Sequence, residues 1–527
     1  MTCNKREGLI AVIAFSVALM ASLLYADGRY GLEPDGAREL SAAHSLASGE
    51  GLVEKVIHDV GPPRPLPIVT KPPLFILLLA AAAKLGFNPK EAGWFISQMS
   101  FAASAGFLYA LARLALPSGV ALLVSVLFSV QIAGLHWSIF PREDSLFVTL
   151  IVASLWLCGR VAQGQADSRK GSWFMLGALV AATVLTRYLG VALLIAISSV
   201  LLLDWAQRRI GVRELAFFAG GVTVVGIAPL TRFLILFGGG TKPAFYAGQD
   251  YTWFPIMAGV VHALQRDYLG RSIVWLYDQT LGDWLLLGVS FAALCALLLF
   301  ATRERALLPL SAFVAVYLMT LIGQLAWSGL DFFEARYAMP VEGLLLILMA
   351  WLVWKIALRL GPQLRAVCAV GALAAVGIFL LGQVARFKEI SSFTVGPDAS
   401  REYCPASQTI GWVKQNIPAG SVIMGPQCFY QLLAETGQYY WLPVPPADEY
   451  NSSSRFQVRW AEDDFLRAAR RTGAKWVVML NGPSGDPLSK KPGYGTFVTD
   501  LLAGKETATI RRVAAFTDGF VYSIQGL

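Results

Sequence analysis

Two acidic side chains stand near the start of a long polar segment, residues 26–72, that follows the first apolar run. Asp35 comes just before a helix-like stretch at 37–48, and Glu39 lies within that stretch. An ionised carboxylate at such a position can act as a general base that takes a proton from an attacking hydroxyl group. An aspartate there can equally cap the helix by accepting hydrogen bonds from its first amide groups. Residue type and spacing leave both roles for Asp35 open.

A single lysine, Lys71, ends the same polar segment and immediately precedes Pro72, Pro73 and a short apolar run at 74–83. Prolines break a helix and hold the preceding residue extended. Lys71 is therefore expected to be a fixed cation at the level of the lipid head groups. The alternative is a lysine at the end of an apolar run that extends its ammonium group to the membrane surface and binds nothing.

Three further polar clusters lie between predicted membrane spans, and each contains arginine. They are Pro141-Arg142-Glu143-Asp144, Arg187-Tyr188, and the segment 327–337, which ends in Arg336-Tyr337. The positive-inside rule disfavours arginine on the outer side of a membrane, so arginines there indicate anion binding. Any one of them alone is equally explained by a head-group contact or a salt bridge. Together with the acidic segment they predict a site that holds a phosphate and activates a nucleophile.

Several other catalytic patterns are missing from the sequence. It contains no phosphate-binding loop of the GxxxxGK[ST] type, no GxSxG nucleophile motif and no GxGxxG followed by an acid. The four histidines are not spaced as a metal pair, so no metal or other cofactor is firmly implied. The aromatic run Tyr439-Tyr440-Trp441 could stack on a sugar, although a place in a hydrophobic core explains it better.

The overall composition indicates a membrane protein. Of 527 residues, 56% are apolar and only 15% are charged, with a mean hydropathy of +0.56, whereas soluble domains have roughly 25% charged residues. An ordinary cytosolic enzyme, a disordered protein and a secreted disulfide scaffold are all excluded. On a soluble protein, a net charge of +8 would suggest binding to nucleic acid. Whether it does so here depends on where the charges lie along the chain.

Eleven apolar runs are long enough to span a membrane, since about 20 residues cross the hydrocarbon core. They lie at about 8–26, 93–112, 118–138, 145–163, 173–186, 189–205, 215–237, 284–301, 306–327, 338–358 and 366–385. The run 74–83 has only ten residues before Lys84. A run of that length is typical of a re-entrant or interfacial segment and is not counted as a span.

The distribution of charge supports eleven spans with the N-terminus inside. The segments that this count places inside hold 14 lysines and arginines against five acids, a net +9, while the rest of residues 1–385 has a net −3. This is the asymmetry that the positive-inside rule requires. Counting 74–83 as a span would invert every later loop and destroy the pattern. The basic excess is therefore a topology signal, and no nucleic-acid partner is expected.

The character of the chain changes at about residue 386. Residues 386–527 carry 28 charged side chains in 142 positions, against 50 in the preceding 385. Short β-rich runs at 421–424, 476–480 and 520–524 alternate with helix-like segments at about 405–417, 427–436 and 461–473. We therefore predict a membrane domain at 1–385 and a small α/β domain at 386–527, which the span count places outside. Cys404 and Cys428 fall in this domain and are either a disulfide or two buried thiols.

These motifs, in this order and on one predicted face, resemble those of the GT-C superfamily of integral-membrane glycosyltransferases. They look closest to the branch that contains protein O-mannosyltransferases and the lipid A aminoarabinose transferase. The matching segments are Glu33-Pro34-Asp35-Gly36 with the helix after it, Thr70-Lys71-Pro72-Pro73-Leu74, Glu143-Asp144-Ser145-Leu146-Phe147, Leu185-Thr186-Arg187, and Ala335-Arg336-Tyr337-Ala338-Met339-Pro340. The resemblance implies a mainly α, polytopic membrane bundle with a small extracytoplasmic α/β domain.

The resemblance also implies roles for individual residues. Asp35 would be the catalytic general base for the acceptor. The donor phosphate would be held by Lys71, Arg187, Arg336 and Tyr337, and the acceptor or sugar pocket would be lined by Glu39, Glu143 and Asp144. Two positions depart from the family pattern: Gly36 follows Asp35 where a second acid is common, and Ser97-Gln98 replaces an arginine of the second span. These departures leave the acceptor and the use of a divalent metal open.

We therefore expect an inverting glycosyltransferase of the plasma membrane, in bacteria the inner membrane, with its N-terminus in the cytoplasm. It would move a sugar from a polyprenyl-phosphate donor to a lipid, glycan or protein acceptor on the outer face. A transporter or flippase of a lipid-linked sugar is the alternative. Such a protein is expected to have polar or broken helices near the bilayer midplane, often in an internal repeat. The sequence names neither the sugar nor the acceptor.

Overall fold

The computed structural model describes residues 5–26, 32, 34–55, 66–68, 71–163, 170–228, 231, 292–328, 335–394, 407–425, 439–443, 462–480 and 496–526. All structural statements refer to these residues. Helices dominate the described residues up to 394, and a five-stranded sheet with flanking helices follows between 407 and 526. The predicted fold class, a mainly α membrane bundle with a small α/β domain, is confirmed.

The described part of residues 1–394 consists mainly of helices. In chain order they are α1 (Lys5–Ala26), α2 (Pro34–Ala47), α3 (Pro73–Lys84), α4 (Pro89–Ala112), α5 (Ser118–Ser129), α6 (Ile132–Ser138), α7 (Asp144–Ala162), α8 (Lys170–Thr186), α9 (Val191–Ala206), α10 (Val212–Val222), α11 (Ala292–Ala301), α12 (Leu308–Ser328), α13 (Met339–Arg359) and α14 (Pro362–Thr394). A two-stranded antiparallel ribbon, β1 (Val53–Glu54) and β2 (Leu66–Pro67), lies between α2 and α3. Short 3-10 turns at Tyr188–Gly190 and Ala335–Tyr337 precede α9 and α13.

In the part of the chain that the structure describes, seven helices are long and apolar enough to cross a membrane: α1, α4, α7, α9 with its preceding turn, α12, α13 and α14. Helices α5 and α6 meet at a bend of 58° and would make an eighth span as a pair. These eight coincide with eight of the eleven predicted spans. The other three fall on α8 and α11, which are shorter apolar helices, and on α10. The chain is therefore a multi-pass membrane protein, while the count of eleven exceeds what the described residues establish.

The short helix α3 is not a span, as the sequence predicts. It has 12 residues and begins at Pro73, which occupies the first helical position where a missing N–H costs nothing. Pro72 before it has the extended backbone that a following proline favours. The helix ends at Lys84. The two prolines thus set where the helix starts and hold Lys71 immediately outside it.

Helices α8 and α10 pack closely against each other because glycine stands at the contact. A β-carbon added at Gly177 of α8 would overlap the backbone carbonyl of Phe218 in α10, and one added at Gly221 would overlap that of Phe174. Small residues allow helix backbones to approach in a membrane, where close packing drives association. This pair of glycines therefore sets the distance between the two helices.

Charged side chains gather at the two ends of the bundle. At one end, Glu7 of α1 pairs with Arg113 after α4 at 3.0 Å, and Asp204 at the end of α9 pairs with Arg305 before α12 at 3.2 Å. These contacts join segments that the charge count assigns to a single side of the membrane. Helices α7 and α13 begin at the opposite end, where a second and larger group of charges lies.

The C-terminal part has helices on both faces of a mixed sheet. Its elements are α15 (Ser407–Asn416), β3 (Val422–Gly425), β4 (Tyr440–Pro443), α16 (Glu462–Thr472), β5 (Trp476–Leu480), α17 (Thr496–Leu502), β6 (Ile510–Phe516) and β7 (Gly519–Ile524). The strand order is β4-β3-β5-β7-β6, with β3 parallel to β4 and β5, and β7 antiparallel to β5 and β6. One core forms against α16 and α17, the other against α15.

Three of the strands match the predicted β-rich runs, and the two edge strands, β4 and β6, are absent from that prediction. Edge strands are set by pairing with a neighbour, which local composition does not show. Tyr439, beside β4, is buried in the core next to α15, in agreement with its predicted core role. Helix α14 continues to Thr394, past the predicted boundary at 385. The predicted helix at 427–436 and both Cys404 and Cys428 lie outside the described residues.

Candidate active site

The segment between α1 and α3 brings Asp35 and Lys71 to the same end of the bundle. Asp35 is the second residue of α2, and Lys71 is held just before α3 by the two prolines. Gly36 lies against the turn before α7, where a β-carbon would be 3.0 Å from the carbonyl oxygen of Pro141. A larger residue would press on that carbonyl. The departure from the acidic family pattern at position 36 therefore lets the start of α2 approach Arg142.

Three cations converge on one oxygen of Asp35. Its Oδ2 atom lies 3.1 Å from Nζ of Lys71, 3.1 Å from Nη2 of Arg142 and 3.4 Å from Nη1 of Arg336. The Asp35 side chain is 29% exposed, whereas the side chains of its three partners are at most 13% exposed. The carboxylate is thus held from one side by positive charge and accessible from another.

This surrounding charge fixes the ionisation of Asp35. Burial alone raises the pKa of the carboxyl, but Lys71, Arg336 and Arg38 outweigh it and lower the pKa to about 2. Asp35 is therefore ionised throughout the physiological pH range. Burial lowers the pKa of Lys71, but Asp35 and the glutamates beside it reverse that effect and raise its pKa. Asp35 and Lys71 are therefore both held in their charged forms.

Three further carboxylates lie beneath these cations, and none is more than 3% exposed. Nζ of Lys71 is 3.4 Å from Oε1 of Glu143 and 3.5 Å from Oε1 of Glu39. Arg187, in the connection between α8 and α9, pairs with Asp144 and lies 3.6 Å from Glu143. Lys71 and Arg187 therefore share Glu143, which links the polar segment 26–72 to the spans α7 and α8.

Of the neighbouring Glu39 and Glu143 carboxyl groups, one is protonated and the other is ionised. Burial, and next the neighbouring Glu143, raise the pKa of Glu39 well above its usual value. Burial also opposes ionisation of Glu143, but Lys71 and Arg187 lower its pKa to about 2. Glu39 is therefore the protonated member of the pair. With that proton in place, the cations of the cluster outnumber its ionised carboxylates, which suits it to an anion.

Arg142 is a member of this cluster that the sequence places within a polar cluster but to which it assigns no individual role. Its side chain is 1% exposed and bridges two acids, with Nη2 3.1 Å from Oδ2 of Asp35 and Nε 3.1 Å from Oδ2 of Asp144. Ser97 of α4 donates a hydrogen bond of 3.0 Å to its carbonyl oxygen. The sequence signal was its position immediately before Glu143-Asp144, but only the fold shows that the side chain turns towards Asp35.

Tyr337 lies between two arginines at the start of α13. Its ring centroid is 5.2 Å from the guanidinium carbon of Arg336 and 5.6 Å from that of Arg187. Nη2 of Arg336 also donates to the Tyr337 hydroxyl at 3.4 Å, and the hydroxyl of Tyr317 donates to the Tyr337 carbonyl at 2.9 Å. The ring therefore helps to hold both guanidinium groups at the same end of the bundle.

The structure brings together every site residue that the sequence predicts within the membrane part. They are Asp35, Glu39, Lys71, Glu143, Asp144, Arg187, Arg336 and Tyr337. The helix-capping alternative for Asp35 is wrong, because the residue lies inside α2 and its carboxylate contacts three cations. The surface alternative for Lys71 is also wrong, because its ammonium group contacts three buried or half-buried carboxylates.

These residues do not fit a metal ion. Among the described residues, no group of three or more histidine, cysteine, aspartate or glutamate side chains is placed to hold one. Within the cluster, the four carboxylates lie beside lysine and arginine, whose positive charges occupy the places that a cation would take. The observed arrangement is a group of largely buried cations with a partly exposed carboxylate, Asp35, at its edge.

The resemblance to GT-C glycosyltransferases extends to a family model over part of the chain and to the fold of solved structures. Residues 70–233 match the family model described as dolichyl-phosphate-mannose-protein mannosyltransferase. That segment contains Lys71, Arg142, Glu143, Asp144 and Arg187, and ends well before Arg336. A sequence search of curated proteins finds no match.

Among solved structures, the fold is similar to that of ArnT from Cupriavidus metallidurans. The crystal structure bound to undecaprenyl phosphate has a TM-score of 0.58 at 15% identity, and the apo structure 0.54 at 16%, each covering 97% of both chains. The oligosaccharyltransferase of Archaeoglobus fulgidus, in complex with Zn and sulfate, has a TM-score of 0.51 at 12% identity. That match covers 98% of this chain and 73% of the other.

Proposed function

We propose that this protein is an inverting glycosyltransferase that uses a polyprenyl-phosphate-linked sugar as donor. The observation that carries the proposal is the arrangement at Asp35. Its Oδ2 atom takes ion pairs from Lys71, Arg142 and Arg336, while the carboxylate remains 29% exposed. A partly exposed base beside a surplus of fixed cations matches the needs of a reaction in which a hydroxyl group loses a proton and a phosphate departs.

The proposed reaction is a single displacement at the anomeric carbon of the sugar. Asp35 accepts the proton of the acceptor hydroxyl as its oxygen bonds to that carbon. On the opposite side of the carbon, the bond to the phosphate oxygen breaks and the lipid phosphate leaves with the electron pair. One displacement from the opposite side inverts the configuration. Lys71 and Arg336, with Arg187 and Tyr337 beside them, stabilise the charge of the departing phosphate.

The low pKa of Asp35 is compatible with this role. The neighbouring cations lower it to about 2, which makes Asp35 a weak base that is always ionised. When a donor phosphate draws Lys71 and Arg336 towards itself, Asp35 loses part of its charge compensation and its pKa rises. Binding of the donor thus strengthens the base at the time when the acceptor hydroxyl needs it.

The burial of the other acids refines their proposed roles. Glu143 and Asp144 are 3% exposed and Glu39 is 2% exposed, so little of each carboxylate is open to a sugar or acceptor. We propose that they orient Lys71, Arg142 and Arg187 under the donor phosphate. The acceptor and sugar pocket would then be formed on the exposed side of Asp35.

The distribution of charge supports an orientation for the reaction. The end of the bundle with Arg113, Arg305 and the other basic loop residues would face the cytoplasm, as the positive-inside rule expects. The cluster around Asp35 would then face outwards, in bacteria towards the periplasm. A donor linked to a lipid carrier can serve this side of the membrane, where soluble nucleotide-linked sugars are not supplied.

A deletion strain complemented with variants of the full chain tests the proposal. Mass spectrometry of envelope lipids, glycans and proteins is expected to show one class lacking a sugar in the deletion strain, with the sugar restored by the wild-type chain. Asp35→Asn is expected not to restore it. Glu50→Gln, which changes an exposed acid in the same polar segment, is the matched control and should restore it.

Two results would overturn the proposal. Full restoration of the sugar by Asp35→Asn would show that Asp35 is not the catalytic base. Accumulation of the lipid-linked sugar on the cytoplasmic side, with all acceptors losing the same sugar, would identify a flippase.

A further inference from the structure

Helix α6 presents an aromatic ring to two of the arginines around Asp35. The guanidinium carbon of Arg142 lies 5.4 Å from the centroid of the Trp137 ring, and that of Arg336 lies 5.6 Å from it. An indole ring attracts cations within about 6 Å of its centroid. Both arginines also contact Oδ2 of Asp35. One indole therefore contacts both guanidinium groups that hold the carboxylate.

The uncharged Trp137 ring attracts the two arginines whether or not Asp35 is ionised. Arg142 and Arg336 carry the same charge and meet at a single carboxylate oxygen, so they repel each other. Asp35 offsets that repulsion only while it is ionised, and the proposed reaction transfers a proton to it. The attraction of the Trp137 ring does not depend on the protonation of any acid. It therefore persists through the step in which Asp35 loses its charge.

Two buried contacts fix the helix that carries Trp137. The side chain of Gln131, at the bend between α5 and α6, donates to Oε2 of Glu342 in the first turn of α13. The backbone N–H of Ile132 donates to Oε1 of Gln383 in α14 at 2.8 Å. Gln131 and Glu342 are completely buried, and Gln383 is 4% exposed. An amide group at the start of a helix otherwise has no partner within it, so Gln383 caps α6.

The hydrogen bond between Gln131 and Glu342 also links the helix that carries Trp137 to the helix that follows Arg336. Arg336 lies in the turn immediately before α13, and Glu342 lies in the first turn of α13. The hydrogen bond from Gln131 to Glu342 thus joins the start of α6, which carries Trp137, to the start of α13, next to Arg336. The Trp137 ring and Arg336 are therefore held next to each other by a hydrogen bond that lies outside the charged cluster.

We propose that Trp137 is a positioning residue that holds Arg142 and Arg336 in place for the phosphate of the lipid carrier. The proposal rests on the function proposed above, since it assigns these arginines to a lipid phosphate. Trp137 acts through the two guanidinium groups. Its loss should therefore weaken recognition of the phosphate and leave recognition of the polyprenyl chain unchanged.

Binding of two lipids to the purified full-length protein tests this role. Undecaprenyl phosphate and undecaprenol differ only in the phosphate, and native mass spectrometry of the detergent-solubilised protein measures both affinities. The wild-type chain is expected to prefer undecaprenyl phosphate. Trp137→Leu should weaken binding of undecaprenyl phosphate about tenfold, the scale of a desolvated cation–π contact, and leave undecaprenol unaffected. Trp137→Phe keeps a smaller aromatic face and should weaken binding of undecaprenyl phosphate by only a few fold.

Trp156→Leu is the matched control. Trp156 of α7 also contacts an arginine, with the guanidinium carbon of Arg160 5.3 Å from its ring centroid, but it lies near the far end of α7 from Asp144. Its replacement removes a tryptophan and one cation–π contact without touching the cluster at Asp35. The preference for undecaprenyl phosphate should remain that of the wild type.

The outcomes separate the two proposals. A wild-type chain with no preference for undecaprenyl phosphate contradicts the proposed function itself. A wild-type preference that persists undiminished in Trp137→Leu contradicts the role of Trp137 alone, and so does an equal loss of both lipids. Should Trp137→Leu not fold, Trp137→Phe decides: a loss of a few fold confined to undecaprenyl phosphate supports the role, and no loss or an equal loss of both lipids contradicts it.

Discussion

Asp35 and Arg336 are 301 residues apart in the chain, and their side chains meet at 3.4 Å. The first stands in α2, in a polar segment after the first span, and the second in the turn before α13. Between them lie most of the spans of the bundle. This contact is therefore possible only when the whole helical part has folded, which makes it a sensitive indicator of the proposed chemistry.

Replacing Arg336 should affect the transfer reaction strongly. Arg336→Met removes a cation from both Asp35 and the proposed phosphate position, and we expect kcat/KM to fall about 100-fold or more. Arg336→Lys keeps the charge but loses the planar fork that holds two partners, so an intermediate loss of about tenfold is expected. Arg359→Met, at the last residue of α13, is the control and should leave the rate unchanged. Activity of Arg336→Met within twofold of the wild type would contradict the assignment.

The two buried glutamates should differ in how they affect stability with pH. The pKa of Glu39 is raised, so the folded protein keeps a proton that the unfolded chain releases above its ordinary value of about 4.3. Its contribution to stability is present at low pH and is lost as the pH rises. Glu39→Gln removes this dependence. The melting temperature of Glu39→Gln relative to the wild type should therefore increase from pH 5 to pH 8.

Glu143→Gln should behave differently over the same pH range. The pKa of Glu143 is lowered to about 2, so its contribution is fully present above the ordinary value and is lost only as the pH falls towards 2. The variant leaves Lys71 and Arg187 with one partner fewer, a loss of about 3–5 kcal/mol for a broken buried pair. Its melting temperature should lie below that of the wild type at every pH from 5 to 8, because the two cations lose a partner throughout this range. A melting temperature of Glu39→Gln that stays parallel to the wild type from pH 5 to pH 8 would contradict the assignment of the proton to Glu39.

The close packing of α8 and α10 gives a prediction that concerns stability alone. Gly177→Ala places a methyl group against the backbone of Phe218, so the helices must separate, and we expect a loss of about 1–3 kcal/mol. Gly171→Ala, in the same helix, meets nothing within 4 Å and should be neutral or slightly stabilising. Thermal melting in detergent compares the two variants. Equal melting temperatures would show that the helices do not pack as closely as described.

The proposed orientation can be tested by chemical labelling in intact cells. In a variant without native cysteines, Glu50→Cys lies in the polar segment on the side of Asp35, and Arg359→Cys lies at the opposite end of α13. A maleimide that cannot cross the membrane should reach position 50 from outside and position 359 only after lysis. The reverse labelling pattern would place the cluster in the cytoplasm and exclude an outer-face reaction.

Much of this protein follows from local properties of its sequence. The apolar runs predict the spans because a helix must be about 20 residues long to cross the hydrocarbon core, and eight of those predicted match helices of spanning length. The prolines after Lys71 place that lysine before a short helix for purely steric reasons. The motifs that contain Asp35, Lys71 and Arg336 are recognisable from their order along the chain and their resemblance to a family pattern.

Other features depend on contacts between distant parts of the chain, which no local pattern records. The edge strands β4 and β6 exist because neighbouring strands pair with them, and the burial of Glu39 arises because α2 packs beneath Lys71. The position of Arg142 between Asp35 and Asp144 follows from the approach of α2 to the turn before α7. Hydropathy, charge and proline positions thus determined the architecture, whereas the tertiary structure decided which charges meet, since an ion pair depends on distance in space and not on separation in sequence.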